Sequence, residues 1–189
     1  LGVRAVHAIP PEIVCGQIEA VMEDLQPVAV KIGMVNDIQI VHVIADCIRK
    51  YSPEHIIYDP VMVSTSGRRK LMTDEAIEEI KKKLLPLVTL VTPNIDEAKV
   101  LTGKSIQNTQ DMLEAAKQLS DSYQTHILIK GGHLEGDQMC DLLYSPDHTY
   151  YIYEEKKIES KNLHGTGCTL SSAIASYLAK GYSMKDSIC

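Results

Sequence analysis

Short apolar runs that alternate with longer amphipathic stretches leave this chain few architectures. The runs fall at residues 28–32, 55–58, 87–91 and 127–130, followed by a pair at 139–144 and 149–153. The first four are nearly all apolar, as strands buried on both faces of a parallel sheet tend to be. The last two flank Ser145-Pro146-Asp147-His148, a hairpin-like turn, so they are predicted to form an antiparallel edge. Stretches 11–25 and 37–50 carry apolar residues at helical spacing, among them Ile18, Val21, Met22 and Leu25 in the first and Val41, Ile44 and Ile48 in the second. Further helices are expected at 74–85, 95–101, 112–119 and 168–179, with Asn108 and Asp111 capping the third of these. The expectation is an α/β fold in three layers, a mostly parallel sheet covered by helices on both faces.

The chain has 189 residues, enough for one domain with a substantial core, and no repeat or long polar linker divides it. Apolar residues make up 44% and charged residues 23%, which excludes disordered and collagenous classes. A formal charge of −6 disfavours a polyanionic partner, so nucleic acid is not expected, although one small phosphate could still be held locally. No apolar run approaches the roughly 20 residues needed to cross a bilayer. The longest, 84–91, is broken by Pro86 and Thr89, so no membrane is expected. Five cysteines, at 15, 47, 140, 168 and 189, are odd in number and widely spaced. Neither a metal knuckle nor a disulfide framework is written there, and reduced thiols in a cytosol fit. The chain starts at Leu1 without Met, and Ser183-Met184-Lys185-Asp186 looks like a helix start just before Cys189. Residues 1–189 therefore read as a single domain lacking a segment at each end. An unpaired strand edge left by such a loss would invite self-association into a homo-oligomer.

In open α/β sheets ligands gather beyond the carboxyl ends of the strands. Those ends carry Gly33-Met34-Val35, Asp59-Pro60-Val61-Met62, Thr92-Pro93-Asn94-Ile95-Asp96-Glu97 and Gly131-Gly132-His133, and His164-Gly165-Thr166-Gly167-Cys168-Thr169 opens the last apolar helix. Glycines at 165 and 167 let backbone N–H groups converge at a positive helix end, a plausible anion hole. A bare Gly-x-Gly is equally an ordinary helix entry. Cys168 stands where a helix N-terminus favours thiolate over thiol and could act as a base, though a lone cysteine is more often packed core. Asn94-x-x-Glu97 satisfies a capping box by itself. Its place straight after a buried strand also lets Glu97 face a hydrated Mg²⁺, with Asp59 a second candidate carboxylate that is otherwise a turn residue. Lys130 ends an apolar strand, either snorkelling to water or aimed at a phosphate. Walker A, G-x-G-x-x-G, H-E-x-x-H and G-x-S-x-G sequences are all absent, which argues against P-loop, dinucleotide, zincin and α/β-hydrolase chemistry.

The ordered set Lys31-Ile-Gly-Met-Val35, Asp59-Pro-Val-Met62 with Ser66-Gly67, Thr92-Pro-Asn-x-x-Glu-Ala98 with Leu101-Thr-Gly103, Lys130-Gly-Gly-His133 and His164-Gly-Thr-Gly-Cys-Thr169 closely resembles the hydroxymethylpyrimidine/phosphomethylpyrimidine kinases of the ribokinase-like superfamily. The resemblance implies a ribokinase-like three-layer α/β/α fold. It also implies a phosphotransferase of thiamine biosynthesis that uses ATP and Mg²⁺ to phosphorylate 4-amino-5-hydroxymethyl-2-methylpyrimidine and then its monophosphate. On that analogy Cys168 is the base, with Gly165, Thr166 and Gly167 forming the anion hole. Asn94, Lys130, Thr166 and Gly167 serve the phosphates, Glu97 and Asp59 the metal, and Met34, Val61 and Cys168 the pyrimidine. The family's N-terminal Gly-rich turn and its pyrimidine-binding Gln have no counterpart in these residues. A pyridoxal or pyridoxine kinase is the alternative within this machinery, and a non-catalytic ligand-binding module of the same fold is the alternative outside it.

Overall fold

Four parallel strands follow one another across the sheet in chain order, and an antiparallel hairpin completes it. The structure is a computed structural model that describes residues 7, 9–62, 72–131, 138–156 and 165–188. The strands are β1 (Ala29–Ile32), β2 (His55–Tyr58), β3 (Leu90–Val91), β4 (His126–Lys130), β5 (Gln138–Tyr144) and β6 (Tyr150–Lys156), ordered β1-β2-β3-β4-β5-β6. Pairs β1–β2, β2–β3 and β3–β4 are parallel, whereas β4–β5 and β5–β6 are antiparallel. Among the described residues β1 pairs only with β2, so its outer edge is open.

The helices are α1 (Pro11–Asp24), α2 (Ile38–Tyr51), α3 (Asp74–Glu79), α4 (Ile95–Thr102), α5 (Thr109–Tyr123) and α6 (Thr166–Ala179). Parallel strands taken in order with right-handed crossovers place their connecting helices on one face. The larger core lies on that face: Ile56, Tyr58, Val91, Ile127 and Ile129 pack against Val41 and Ile48 of α2, Ile77 of α3, Ala98 of α4 and Met112 and Ala116 of α5. The alternate strand residues Ile57, Leu90, Leu128 and Leu143 meet Ile174, Ala175 and Leu178 of α6 on the other face. This period of two puts the side chains of Lys31 and Asp59 on the α6 side, because their neighbours Ile32 and Tyr58 belong to the larger core. Helix α1 packs on α2, with Met22 its one buried residue.

Local chemistry sets most helix ends. Asp37 accepts the N–H groups of Gln39 and Ile40 at the start of α2, and Asn108 accepts that of Asp111 at the start of α5. Stretch 74–85 is not one regular helix. After Glu79 the chain widens into a π turn over Ile80–Leu84, in which the Leu85 N–H reaches Ile80 O, and then tightens into a 3₁₀ turn over Leu85–Leu87. Pro86 has no N–H and cannot continue an α-helix, so the chain changes hydrogen-bond pattern there. The same turn shortens β3 to two residues, fewer than the expected 87–91, and Thr89 completes the join with its hydroxyl by accepting the Ile56 N–H at 2.9 Å. Helix α5 runs beyond the apolar stretch 112–119 at both ends, adding residues 109–111 before it and, after it, the buried Ser120 and Tyr123, which packs on the core. Residues 183–186 form a capped turn, Ser183 Oγ donating to Asp186 Oδ2 at 2.6 Å. Leu1, Gly2, Val3, Ser66, Gly67, Gly132, His133, His164 and Cys189 lie outside the described residues. No helix among the described residues is long and apolar enough to cross a membrane.

Candidate active site at the carboxyl ends of the strands

Asp59 follows β2 directly, and Pro60 behind it turns the chain so that the Val61 N–H donates to Asp59 O at 2.9 Å. The carboxylate is buried, and it draws polar partners from four different elements. Lys130 Nζ, at the end of β4, donates to Oδ1 at 2.9 Å, and Thr92 Oγ1, at the end of β3, lies 3.3 Å from the same oxygen. Ser171 Oγ on α6 lies 3.4 Å from Oδ2, and Lys31 Nζ on β1 lies 4.0 Å from it. A carboxylate taken out of water is costly unless paired, and the two ammonium groups supply that pairing.

Helix α6 enters this cluster by its amino end. Gly165 adopts φ 82°, a left-handed conformation that a residue with a Cβ takes only under strain. The helical ladder starts at Thr169, whose N–H donates to Gly165 O at 2.9 Å. Gly167 sits against the cations: a Cβ there would lie 3.0 Å from Lys130 Nζ and 3.9 Å from Asp59 Oδ2. The Cys168 thiol is exposed, not packed in the core. The first turn of α6, one lysine and one carboxylate therefore converge at a positive helix end, an arrangement that favours a phosphate-like anion.

The capping box at α4 is present in full: Asn94 Oδ1 accepts the Glu97 N–H at 2.9 Å, and Glu97 Oε2 accepts the Asn94 N–H at 2.9 Å. The other Glu97 oxygen faces the Met62 N–H at 3.5 Å. Burial pushes the Glu97 carboxyl up to about 7, against the opposing pull of the Asn94 N–H and Lys130. Asn94 also lies beside the end of β4, where the Lys130 N–H donates to Pro93 O at 2.9 Å. The rim thus brings Asp59, Thr92, Asn94, Glu97, Lys130 and Gly167 together.

Magnesium fits the residues at this rim in one respect. Glu97 is a buried acid short of positive charge, and a hydrated cation that needs one or two carboxylates would meet that shortage. Asp59, the second candidate carboxylate, is already engaged by lysine, threonine and serine. No group of three or more His, Cys, Asp or Glu residues suited to a metal occurs among the described residues.

Met34 is half-exposed and lines a cleft of about 410 Å³ at the open edge of β1, together with Lys31, Gly33, Ile32 and Ile18. Val61 does not line that cleft, although it lies two residues from Asp59. Three participants had no role assigned from the sequence: Lys31, Thr92 and Ser171. A fourth is Asp141 on β5, whose Oδ1 accepts the Gly131 N–H at 2.9 Å and whose carboxyl burial pushes up. A lone cation in an apolar strand, the signal that singled out Lys130, also marks Lys31. Ser171 lies one helical turn after Gly167 and so shares its face.

A family model described as phosphomethylpyrimidine kinase matches residues 1–189. The chain is 42% identical over 188 residues to the hydroxymethylpyrimidine/phosphomethylpyrimidine kinase of Rhizobium meliloti, covering 99% of this chain and 70% of that one. It is 39% identical over 187 residues to a bifunctional thiamine biosynthesis protein of Geobacter sulfurreducens, 99% of this chain but only 38% of that protein. Among solved structures it resembles a phosphomethylpyrimidine kinase from Clostridium difficile, with TM-score 0.85 and 40% identity over 97% of this chain and 74% of that one. It also resembles a pyridoxal kinase from Staphylococcus aureus in complex with AMP-PCP, with TM-score 0.88 and 32% identity over 97% of this chain and 66% of that one.

Proposed function

The chain belongs to the phosphomethylpyrimidine kinase family, and from that premise we propose that it transfers the terminal phosphoryl group of ATP to 4-amino-5-hydroxymethyl-2-methylpyrimidine and then to the resulting monophosphate, as a step of thiamine biosynthesis. The observation that carries the reading is the meeting of Lys130, Asp59 and the Gly165–Cys168 turn at one positive helix end. Phosphoryl transfer asks a protein mainly to position groups and offset charge, and this rim has the parts for both.

Lys130, Asn94 and the backbone of Thr166 and Gly167 hold the phosphates of ATP. Glu97 and Asp59 would hold Mg²⁺, which when bound would neutralise charge on the phosphate oxygens. The exposed Cys168, in the first turn of α6, takes the proton of the attacking hydroxyl. Met34 and Val61 flank the pyrimidine. The cytosol, where thiols stay reduced, is the compartment this chemistry suits.

A coupled assay of the full chain with hydroxymethylpyrimidine, phosphomethylpyrimidine and pyridoxal tests the reading. Turnover of both pyrimidines above that of pyridoxal is expected, and Cys168→Ala is expected to lower kcat on the alcohol by about 10²–10⁴, the worth of a positioned base. Preference for pyridoxal, or wild-type turnover in the variant, would overturn the substrate or the base, respectively.

A further inference from the structure

Two ammonium groups approach one buried carboxylate from opposite sides. Lys31 leaves β1, the strand on one side of β2, while Lys130 leaves β4, two strands away on the other side. Their bonds to Asp59 differ. Lys130 is within hydrogen-bond distance at 2.9 Å, whereas Lys31 stands 4.0 Å from an oxygen that also faces Ser171 at 3.4 Å. Lys130 is thus the closer partner of the carboxylate, and Lys31 is the more loosely held of the two. Lys31 also faces a second neighbourhood: with Gly33 and Met34 it lines the cleft at the β1 edge. A Cβ on Gly33 would lie 2.9 Å from Lys31 Nζ, so the ammonium group lies over that bare backbone, and both residues line the cleft.

The inference rests on the kinase reading above and concerns its second acceptor. A hydroxymethyl group is neutral, but a phosphomethyl group carries about −1.5 to −2 charges at pH 7. When it attacks, one phosphate must approach another. An oxygen of the acceptor phosphate forms the new bond to the terminal phosphorus of ATP, the bond to the ADP oxygen breaks, and ADP leaves with that electron pair. The attacking oxygen is already ionised, so no proton is removed. This second transfer needs an additional cation on the acceptor side and no base.

We propose that Lys31 is the specificity-determining residue of the second transfer, holding the phosphate of the phosphorylated acceptor, while Lys130 and the start of α6 hold the phosphates of the donor. A purely structural Lys31, there to balance Asp59, would serve both acceptors equally. The two roles therefore separate in the ratio of the two reactions.

The test measures kcat/KM for hydroxymethylpyrimidine and for phosphomethylpyrimidine in Lys31→Met, Lys31→Gln and Lys31→Arg. It also measures calorimetric binding of each acceptor without ATP. Because both acceptors are assayed on one preparation, a partly unfolded sample lowers both values and leaves their ratio intact. The Met and Gln variants are expected to lose about 10- to 100-fold more on the phosphorylated acceptor than on the alcohol, the cost of losing a hydrogen bond to a charged group. Binding of phosphomethylpyrimidine alone should weaken in parallel, and Arg should recover most of the loss. Equal losses on the two acceptors, or a larger loss on the alcohol, would overturn the role of Lys31 while leaving the kinase reading intact. A wild-type chain that phosphorylates neither acceptor would overturn that reading and this inference with it.

Discussion

Gly167 leaves the space that Lys130 occupies. A Cβ on the glycine would lie 3.0 Å from the lysine Nζ, which itself sits 2.9 Å from Asp59 Oδ1. Position 167 in the first turn of α6 is therefore bare where a cation lies against it, and the pair ties a helix on one face of the sheet to the end of a strand within it.

Gly167→Ala should separate fold from function. The atom it meets is the tip of a flexible side chain, which can swing aside, and alanine gains up to about 1 kcal/mol of helix propensity over glycine. Stability should change by less than about 1 kcal/mol, while kcat falls about tenfold as the Lys130 ammonium shifts out of line against the new methyl group. Gly165→Ala should behave the other way in denaturant titrations, losing about 1–2 kcal/mol because its φ of 82° suits glycine. Full activity in Gly167→Ala would show that the position of Lys130 does not matter to the reaction.

How much of this site is legible in the sequence depends on how local each relation is. The Asn94–Glu97 box spans three residues and is written in the residue types themselves, as is the Asn108–Asp111 cap. The strand ends can also be read, because four apolar runs stop at Gly33, Asp59, Thr92 and Gly131. What cannot be read is which of these ends become neighbours. Ser171 reaches Asp59 across 112 residues and Lys130 reaches it across 71, and only the strand order decides that both lysines meet one carboxylate. Helix α3 and strand β3 departed from their patterns for a related reason. Pro86 breaks the ladder inside a run whose apolar periodicity continues, and periodicity does not register a missing N–H.

Glu97 makes folding depend on pH in a defined direction. In the unfolded chain a glutamate titrates near 4.3–4.5, whereas burial lifts it to about 7 in the folded protein. Between those values the folded state keeps a proton that the unfolded chain has released. The contribution of Glu97 is therefore fully present below about pH 4.5 and is lost as pH rises through 7. Relative to Glu97→Gln, which has no such proton, wild-type unfolding free energy should fall by on the order of 3 kcal/mol between pH 4.5 and 8. Urea titrations of the two proteins at matched pH measure the difference, and a gap that does not change with pH would contradict the buried-acid assignment.

Thiol alkylation should follow accessibility and charge together. Cys168 is exposed at the start of α6, whereas Cys47 and Cys140 are buried. Burial, reinforced by the neighbouring Cys15 thiol, pushes Cys47 up to about 11, so at pH 8 only about one part in a thousand is thiolate, the form that reacts. Burial raises Cys140 as well. With limiting iodoacetamide, peptide mapping should find Cys168 modified before Cys47 and Cys140, and loss of phosphorylation of the hydroxymethyl acceptor should track the Cys168 adduct. The phosphorylated acceptor needs no base, so the adduct can impede its turnover only by bulk. A small methylthio cap on Cys168 should therefore suppress the alcohol reaction more than the phosphate reaction. Equal loss of both reactions would mean that the sulfur fills space at the site and carries no proton.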